Sequence, residues 1–406
     1  MHTLWDERFA LRTDNISSSA IRELLKLTAL PDVISFAGGL PAPDVFPIDK
    51  FKEAAEVVLT ETGPSALQYG TTEGYQPLRE MLARNATKYG LQISPDNVLI
   101  TTGSQQALDL LGRIFINRGD RVLVESPTYL GAIQAWNAYG VKYVTIPFDD
   151  DGMQTDLLES RLRTGIKFIY VLPNFQNPTG VTLSRERRKV LVEMADAYGV
   201  PIVEDDPYGQ LRYEGEHLPP VVVMDNEMRA KEVPIYSGNV IYTSTFSKIL
   251  APGLRLAWVV APTEVVKKLV QAKQGADLNT STLTQFLAYQ VANTPWMKTH
   301  IRNIRTVYSE RRNVMIEALR KYMPEGVKWT EPKGGLFLWV TMPEGMDSGA
   351  IFKTAVEAKV AFVPGGSFHP LGGGENTMRL NFSYSKPEII VEGIKRLAKV
   401  IKDNLI

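Results

Sequence analysis

Val98-Leu-Ile-Thr-Thr-Gly-Ser-Gln-Gln-Ala-Leu-Asp-Leu-Leu-Gly-Arg-Ile-Phe-Ile116 changes its hydrophobic period at Gly103. Before the glycine, Val98 to Thr102 is a short apolar and β-branched run, which reads as a buried strand. After it, Ser104 to Ile116 carries its apolar residues at helical spacing, and Arg121 to Glu125 is the next strand. The same rhythm returns downstream. Lys167 to Leu172 reads as a strand, Ser184 to Tyr198 as a helix capped by Ser184, and Ile202-Val203 as a further strand. Strands alternating with helices predict an α/β fold, with chemistry gathered at the carboxyl ends of the strands.

Near Thr284 this alternation gives way to long helical segments, Gln285 to Ala292 and Trp296 to Tyr322, interrupted at Pro295. The remainder reads as a smaller α+β unit. It has strands over Val327 to Thr330, Leu336 to Thr341 and Met378 to Phe382, and helices near Ser348 to Lys359 and Lys386 to Lys402.

The 406 residues exceed what one ordinary domain needs, at about 150 residues per domain. Apolar residues make up 44% and charged residues 22%, which places the chain among globular proteins rather than disordered ones. With 45 basic against 45 acidic residues the net charge is zero, which argues against nucleic acid as a partner. Cysteine is absent, so disulfides, thiolate metal sites and a cysteine nucleophile are excluded. The four histidines (His2, His217, His300, His369) show no metal-ligand spacing, and no metal is expected. The mixed charge of the first residues does not read as a secretory signal, and no apolar run is long enough for a membrane span. A cytoplasmic protein is expected.

Lys, Asp, Tyr and Arg must therefore carry the chemistry, and four segments offer them. Thr243-Ser-Thr-Phe-Ser-Lys248-Ile-Leu-Ala-Pro-Gly-Leu-Arg255 sets a lysine among Phe246, Ile249 and Leu250. Such surroundings desolvate an amine and make it nucleophilic, although a lone lysine is ordinarily just solvated. Ser247 and Arg255 suit a phosphate. Ile202-Val-Glu-Asp205-Asp-Pro-Tyr208 ends a strand in carboxylates and a phenol, which a plain turn would also explain. Pro173-Asn-Phe-Gln-Asn177-Pro-Thr-Gly180 is an amide-rich turn, weak on its own. Gly103-Ser104-Gln105 opens a helix whose free N–H groups can hold a phosphate, as many empty junctions also could.

Taken together and in this order, the segments resemble those of the fold-type I, class I/II aminotransferases that depend on pyridoxal 5′-phosphate. The likeness runs from Phe36-Ala-Gly-Gly-Leu-Pro41 and Gln68-Tyr-Gly-Thr-Thr-Glu-Gly74 to Phe362-Val-Pro-Gly-Gly366 and Met378-Arg379-Leu-Asn-Phe382. With Ser17-Ser-Ser-Ala-Ile-Arg22-Glu, these motifs look most like the 2-aminoadipate aminotransferase and kynurenine aminotransferase II branch. The resemblance implies a mostly parallel central sheet sandwiched by helices, and a smaller α+β domain built from both termini. The divisions expected are 1–45 (an N-terminal segment with a mobile helix, part of the small domain), 46–293 (the large cofactor domain) and 294–406 (the small domain).

The resemblance also implies roles. Lys248 would bond the cofactor and then act as general base at the substrate Cα. Asp205 would keep the pyridine nitrogen protonated, Tyr208 and Asn177 would hydrogen-bond the ring oxygen, and Tyr129 would stack on the ring. Gly103, Ser104, Gln105, Ser247, Arg255 and, less strongly, Thr245 would hold the phosphate. Tyr69 would reach the phosphate from a second subunit, implying a homodimer with interfacial active sites. Arg379 would clamp the substrate carboxylate, with Asn177, Asn174 and the Gly39 backbone nearby.

Arg22 bears on substrate choice: it would meet an acidic side chain or swing aside for apolar ones, unless Ser17 to Leu27 is simply a solvated amphipathic helix. Broad donor specificity with 2-oxoglutarate as acceptor is the expectation. A β-lyase or decarboxylase on the same scaffold, or a non-catalytic cofactor-binding regulator, are the alternatives.

Overall fold

The computed structural model describes residues 3–16, 32–229 and 235–405. The expected helix over Ser17 to Leu27, with Arg22, lies outside them. Two strands open the count: β1 (Ile34–Ser35) and β2 (Val98–Thr101). Then come β3 (Arg121–Ser126), β4 (Lys142–Asp149), β5 (Gly152–Met153), β6 (Ile166–Val171), β7 (Ile202–Asp205), β8 (Val240–Thr245) and β9 (Ala257–Val260). All but β1 form one eight-stranded sheet in the order β2-β9-β8-β7-β6-β3-β4-β5. The pairs from β4 through β3, β6 and β7 to β8 are parallel, whereas β9 runs antiparallel to both its neighbours and β5 to β4.

The alternation of side chains along each strand explains the layers. Val122 and Val124 of β3 face a cluster with Leu108, Leu111 and Trp136, while Leu123 faces the opposite cluster with Ile169 and Ile202. Both faces of the sheet are thus covered by helices, as buried parallel strands require. From β3 the chain passes to β4 on one side and returns to β6 on the other. Beside β3 the connections diverge, and this opens a crevice at the carboxyl ends of β3 and β6.

The helix Ser104–Phe115 follows β2 through Gly103, and Arg185–Ala197 starts at Ser184, whose Oγ accepts from the Arg187 N–H. Both agree with the sequence expectation to within a residue or two. A 27-residue helix, Trp296–Tyr322, then runs about 40 Å and packs against the C-terminal helix Pro387–Asp403. The second sheet is antiparallel: β10 (Lys328–Trp329), β11 (Phe337–Thr341), β13 (Val363–Pro364) and β14 (Thr377–Asn381) in the order β10-β11-β14-β13. Between them in sequence, β12 (Val360–Ala361) pairs in parallel with β1, so both ends of the chain build the smaller α+β layer. Among the described residues no helix is long and apolar enough to cross a membrane.

Candidate active site

The crevice collects side chains from the ends of β2, β3, β6, β7 and β8, with β14 supplying one more. Gly103 has φ +79°, and a Cβ there would lie 2.5 Å from Nη2 of Arg255. Only glycine lets the start of the helix Ser104–Phe115 and this guanidinium lie so close. Arg255 is itself left-handed at φ +50°, ending the single turn Pro252–Leu254. Oγ of Ser104 is buried without a partner. Oγ1 of Thr245 accepts from the Ser247 N–H at 3.0 Å and lies 2.9 Å from Ser247 Oγ, so it holds the serine. Gln105 donates its side-chain amide to the Gly131 carbonyl at 2.8 Å, leaving its backbone N–H for a ligand at the helix start. The helix start is braced from outside by Asp277, which accepts from Thr102 Oγ1 at 3.1 Å and Gln106 Nε2 at 2.6 Å.

Asp205 ends β7 at 2% exposure. The Tyr170 hydroxyl donates to its Oδ2 at 2.9 Å, and its Oδ1 has no partner. Burial pushes its pKa up to about 7, with the Tyr170 hydrogen bond opposing and Asp206 adding to the rise. The neighbouring Asp206 turns away and is satisfied by Asn174 Nδ2, the Gly209 N–H and the Tyr242 hydroxyl. Asn174 also accepts from Arg188 at 2.7 Å, so both ends of its amide belong to this supporting network.

Lys248 follows β8, with Phe246, Ile249 and Leu250 buried around it as the sequence suggests. Its Nζ donates to the Gly39 carbonyl at 2.8 Å. Burial, then the positive charges of Arg379 and Arg255, bring its pKa down to about 8.

Arg379 lies on β14 at 2% exposure. Nη1 donates to Asn177 Oδ1 at 2.8 Å, Nη2 donates to the Ala37 carbonyl at 2.7 Å, and Nε has no partner. The rings of Phe337 and Phe368 stand 4.3 and 5.1 Å from its Cζ. Burial draws its pKa down to about 10, still a cation at neutral pH. Among the described residues no carboxylate pairs with it, so a buried positive charge awaits an anion. Tyr208 lies beside Asn177, and burial pushes both Tyr208 and Tyr129 above the usual phenol range. Tyr129 feels Asp205, Arg379 and Arg255 at once, so it stands among all three.

Tyr69 is 80% exposed and lines a surface depression with Asp277, Asn279 and Thr282. Sequence reasoning missed Tyr170, the Ala37 carbonyl and Asp277. A phenol within the otherwise apolar run Lys167 to Leu172 was the signal for Tyr170.

Pyridoxal phosphate suits the groups left unmet here. The free Oδ1 of Asp205 suits a protonated pyridine nitrogen; Ser104, the helix start and Arg255 suit a phosphate, and the Lys248 amine suits an aldehyde.

Over 99% of this chain and 95% of its own length, an aromatic-amino-acid aminotransferase from Thermococcus litoralis is 47% identical. The α-aminoadipate aminotransferase LysN of Thermus thermophilus, solved with N-(5′-phosphopyridoxyl)-L-leucine, superposes with a TM-score of 0.92 at 43% identity, covering 99% of both chains. Kynurenine aminotransferase from Pyrococcus horikoshii gives 0.93 at 45% identity, again over 99% of both chains. A sequence profile of the class I and II aminotransferases matches residues 31–397. On the strength of that match and of these relatives, the chain belongs to the pyridoxal-phosphate-dependent class I and II aminotransferases.

Proposed function

We propose that the protein moves the amino group of an L-amino acid to 2-oxoglutarate by a ping-pong mechanism, accepting 2-aminoadipate, aromatic and branched or aliphatic donors. The observation that carries this reading is Arg379, a buried cation held, among the described residues, by two neutral oxygens and no carboxylate. It supplies a site for the α-carboxylate that every amino and oxo acid shares. The relatives named above for aminoadipate, aromatic amino acids and kynurenine support a broad donor range.

When bound, pyridoxal phosphate supplies a carbonyl carbon for amines and a cationic ring that takes up the electron pair left at Cα. The chain's residues do the rest. Asp205 holds the pyridine proton, Tyr208 and Asn177 hydrogen-bond the ring oxygen, and Tyr129 covers the ring. Ser104, Gln105, Ser247 and Arg255 hold the phosphate, with Gly103 giving it room. Lys248, displaced by the donor, takes the proton from the donor Cα on Nζ, and its lowered basicity keeps a share of that amine neutral near pH 7.

The proposal includes a cytoplasmic homodimer in which Tyr69 of each chain reaches the phosphate of the other. It keeps the chain divisions at 45/46 and 293/294. Arg22, outside the described residues, is assigned to the side-chain carboxylate of glutamate and 2-aminoadipate.

A half-reaction tests it. Glutamate, 2-aminoadipate, leucine, phenylalanine and kynurenine are added singly to wild type and Arg22→Ala while the absorbance of the bound cofactor is followed. Each donor should convert the wild-type spectrum, and Arg22→Ala should slow only the acidic pair. Failure of every donor overturns the transaminase reading, and uniform slowing overturns the role of Arg22.

A further inference from the structure

Glu125 is 2% exposed on β3, one residue before the strand ends. Among the described residues no positive charge faces it. The Gln176 amide from the turn after β6 donates to it, the nearby Leu172 backbone favours its charge more weakly, and burial dominates its environment. Tyr170 on β6 feels it as a nearby acid, and β4 places Ile146 opposite. A buried carboxylate with so little support is costly, and its position suggests what it is kept for.

Gln176 uses every hydrogen-bonding capacity it has. Its Nε2 donates to Glu125 Oε2 at 3.1 Å and to the Pro127 carbonyl at 2.8 Å. Its Oε1 accepts from Thr179 N at 3.2 Å and from Thr179 Oγ1 at 2.7 Å. On one side of this junction the chain runs from Pro127 to Tyr129. On the other, Asn177 is the next residue and accepts from Arg379 at 2.8 Å.

We propose that Glu125 and Gln176 are positioning residues of the transamination site. They clamp the strand end that carries Tyr129 to the turn that carries Asn177, and so fix Arg379 and Tyr208 where the substrate carboxylate and the ring oxygen are met. The inference rests on the site reading given above. The carboxylate is the stronger acceptor for Gln176, which explains an acid in a place where an amide would be cheaper to bury. Burial lifts its pKa to about 7, so it titrates near neutral pH.

The test compares Gln176→Ala, Glu125→Ala and Glu125→Gln with wild type, with glutamate as donor. Both alanine variants should raise the donor KM by about tenfold or more and weaken cofactor binding, since small misplacements of positioning groups cost that much. Glu125→Gln should stay within about threefold of wild type in both, because an amide oxygen still accepts from Gln176. In the apo-protein, the thermal midpoint of wild type should fall relative to Glu125→Gln as pH rises from about 4.5 to about 7, and level off above that. The reason is that the raised folded pKa makes ionisation unfavourable to the fold, a penalty the amide never meets.

Alanine variants that keep the wild-type KM overturn the clamp, as does a Glu125→Gln variant as impaired as Glu125→Ala, or parallel pH curves for apo wild type and Glu125→Gln. Should the alanine variants not fold, Gln176→Asn keeps the amide but shortens its reach, and its donor KM must rise for the clamp to stand. Wild type that turns glutamate over separates all these outcomes from a failure of the transaminase reading, which would leave wild type itself inactive.

Discussion

Tyr170 donates its hydroxyl hydrogen to Oδ2 of Asp205 over 2.9 Å, and Oδ1 of the same carboxylate is left without a partner. The phenol thus holds the carboxylate by one oxygen and leaves the other free for the protonated pyridine nitrogen that the proposed function assigns to it. Asp205→Asn should keep the cofactor bound but lower kcat/KM by about 10²–10³-fold or more, the scale on which single preorganised electrostatic partners act. Tyr170→Phe removes the bond that favours the ionised form of Asp205, so its pKa rises further above the carboxylate range. The active form is then lost at higher pH. In a plot of kcat/KM against pH the acidic limb should move up by about one pH unit, given ~1.5 kcal/mol for a hydrogen bond to a charged group. An unmoved limb would remove Tyr170 from this role.

Lys248 attacks only as a neutral amine, and burial beside Arg379 and Arg255 brings its pKa down to about 8. Uptake of pyridoxal phosphate by the apo-protein should therefore accelerate as pH rises through about 8 and level off above it. Arg379→Met removes one of the two positive neighbours, which raises the lysine pKa and moves that rise to higher pH. Lys248→Ala should bind the cofactor without covalent attachment, with turnover nearly abolished. Stopped-flow absorbance of cofactor mixed with apo-protein, repeated across pH, measures each effect.

The sequence carried the elements whose burial is symmetric. β2 and, apart from Lys167, β6 are apolar runs because helices cover both faces, and such runs stand out without any partner in view; of β7 only Ile202-Val203 carries that signal, the buried Glu204 and Asp205 interrupting it. β4 and β8 went unread for opposite reasons. β4 lies beside the short edge strand β5 and is only half-buried, so its apolar signal is diluted. β8 ends in Thr243, Ser244 and Thr245, hydroxyls that blur its apolar pattern and of which two find partners elsewhere in the fold: Ser244 donates to the Asp206 carbonyl and Thr245 to the Leu256 carbonyl. In the site, Lys248 stood out because it is a charge among Phe246, Ile249 and Leu250, whereas Asp205, set between Glu204 and Asp206, and Arg379 drew their expected roles from the family resemblance. The carbonyl of Ala37 was not legible, since a backbone oxygen carries no side-chain signature and gains its role only from tertiary contact; the Gly39 backbone, expected beside the substrate carboxylate, accepts from Lys248. Asn174 shows the converse: a polar residue in the right turn whose amide is used by Arg188 and Asp206.

Gly103 has φ +79° and ψ 162°, a region open essentially to glycine alone. Gly103→Ala brings a backbone penalty of about 1–3 kcal/mol and drives a methyl group to within 2.5 Å of Arg255 Nη2. The guanidinium is a flexible end and can shift, so the fold should survive with a lowered melting point. If Arg255 holds the phosphate as proposed, its shift withdraws the fork, and the cofactor dissociation constant should rise at least about tenfold. Equilibrium titration of the apo-protein with pyridoxal phosphate measures this, and an unchanged constant would separate Arg255 from the phosphate site.

Arg379→Lys keeps the charge and loses the planar fork that reaches both Asn177 and the Ala37 carbonyl. A lysine can point at a carboxylate but cannot brace itself on two oxygens while presenting further N–H groups to it. The loss should be about 1.5–3 kcal/mol of substrate binding, or roughly 10–100-fold in KM. Because the α-carboxylate is common to all donors, that rise should be the same for leucine, phenylalanine and glutamate. It should also appear for the oxo acid in the second half-reaction, which uses the same group. Arg22→Ala, by contrast, should change the ratio between acidic and apolar donors. Steady-state constants for three donors in the two variants therefore distinguish a residue that recognises the shared carboxylate from one that reads the side chain. A donor-dependent effect of Arg379→Lys would move Arg379 from the first role to the second.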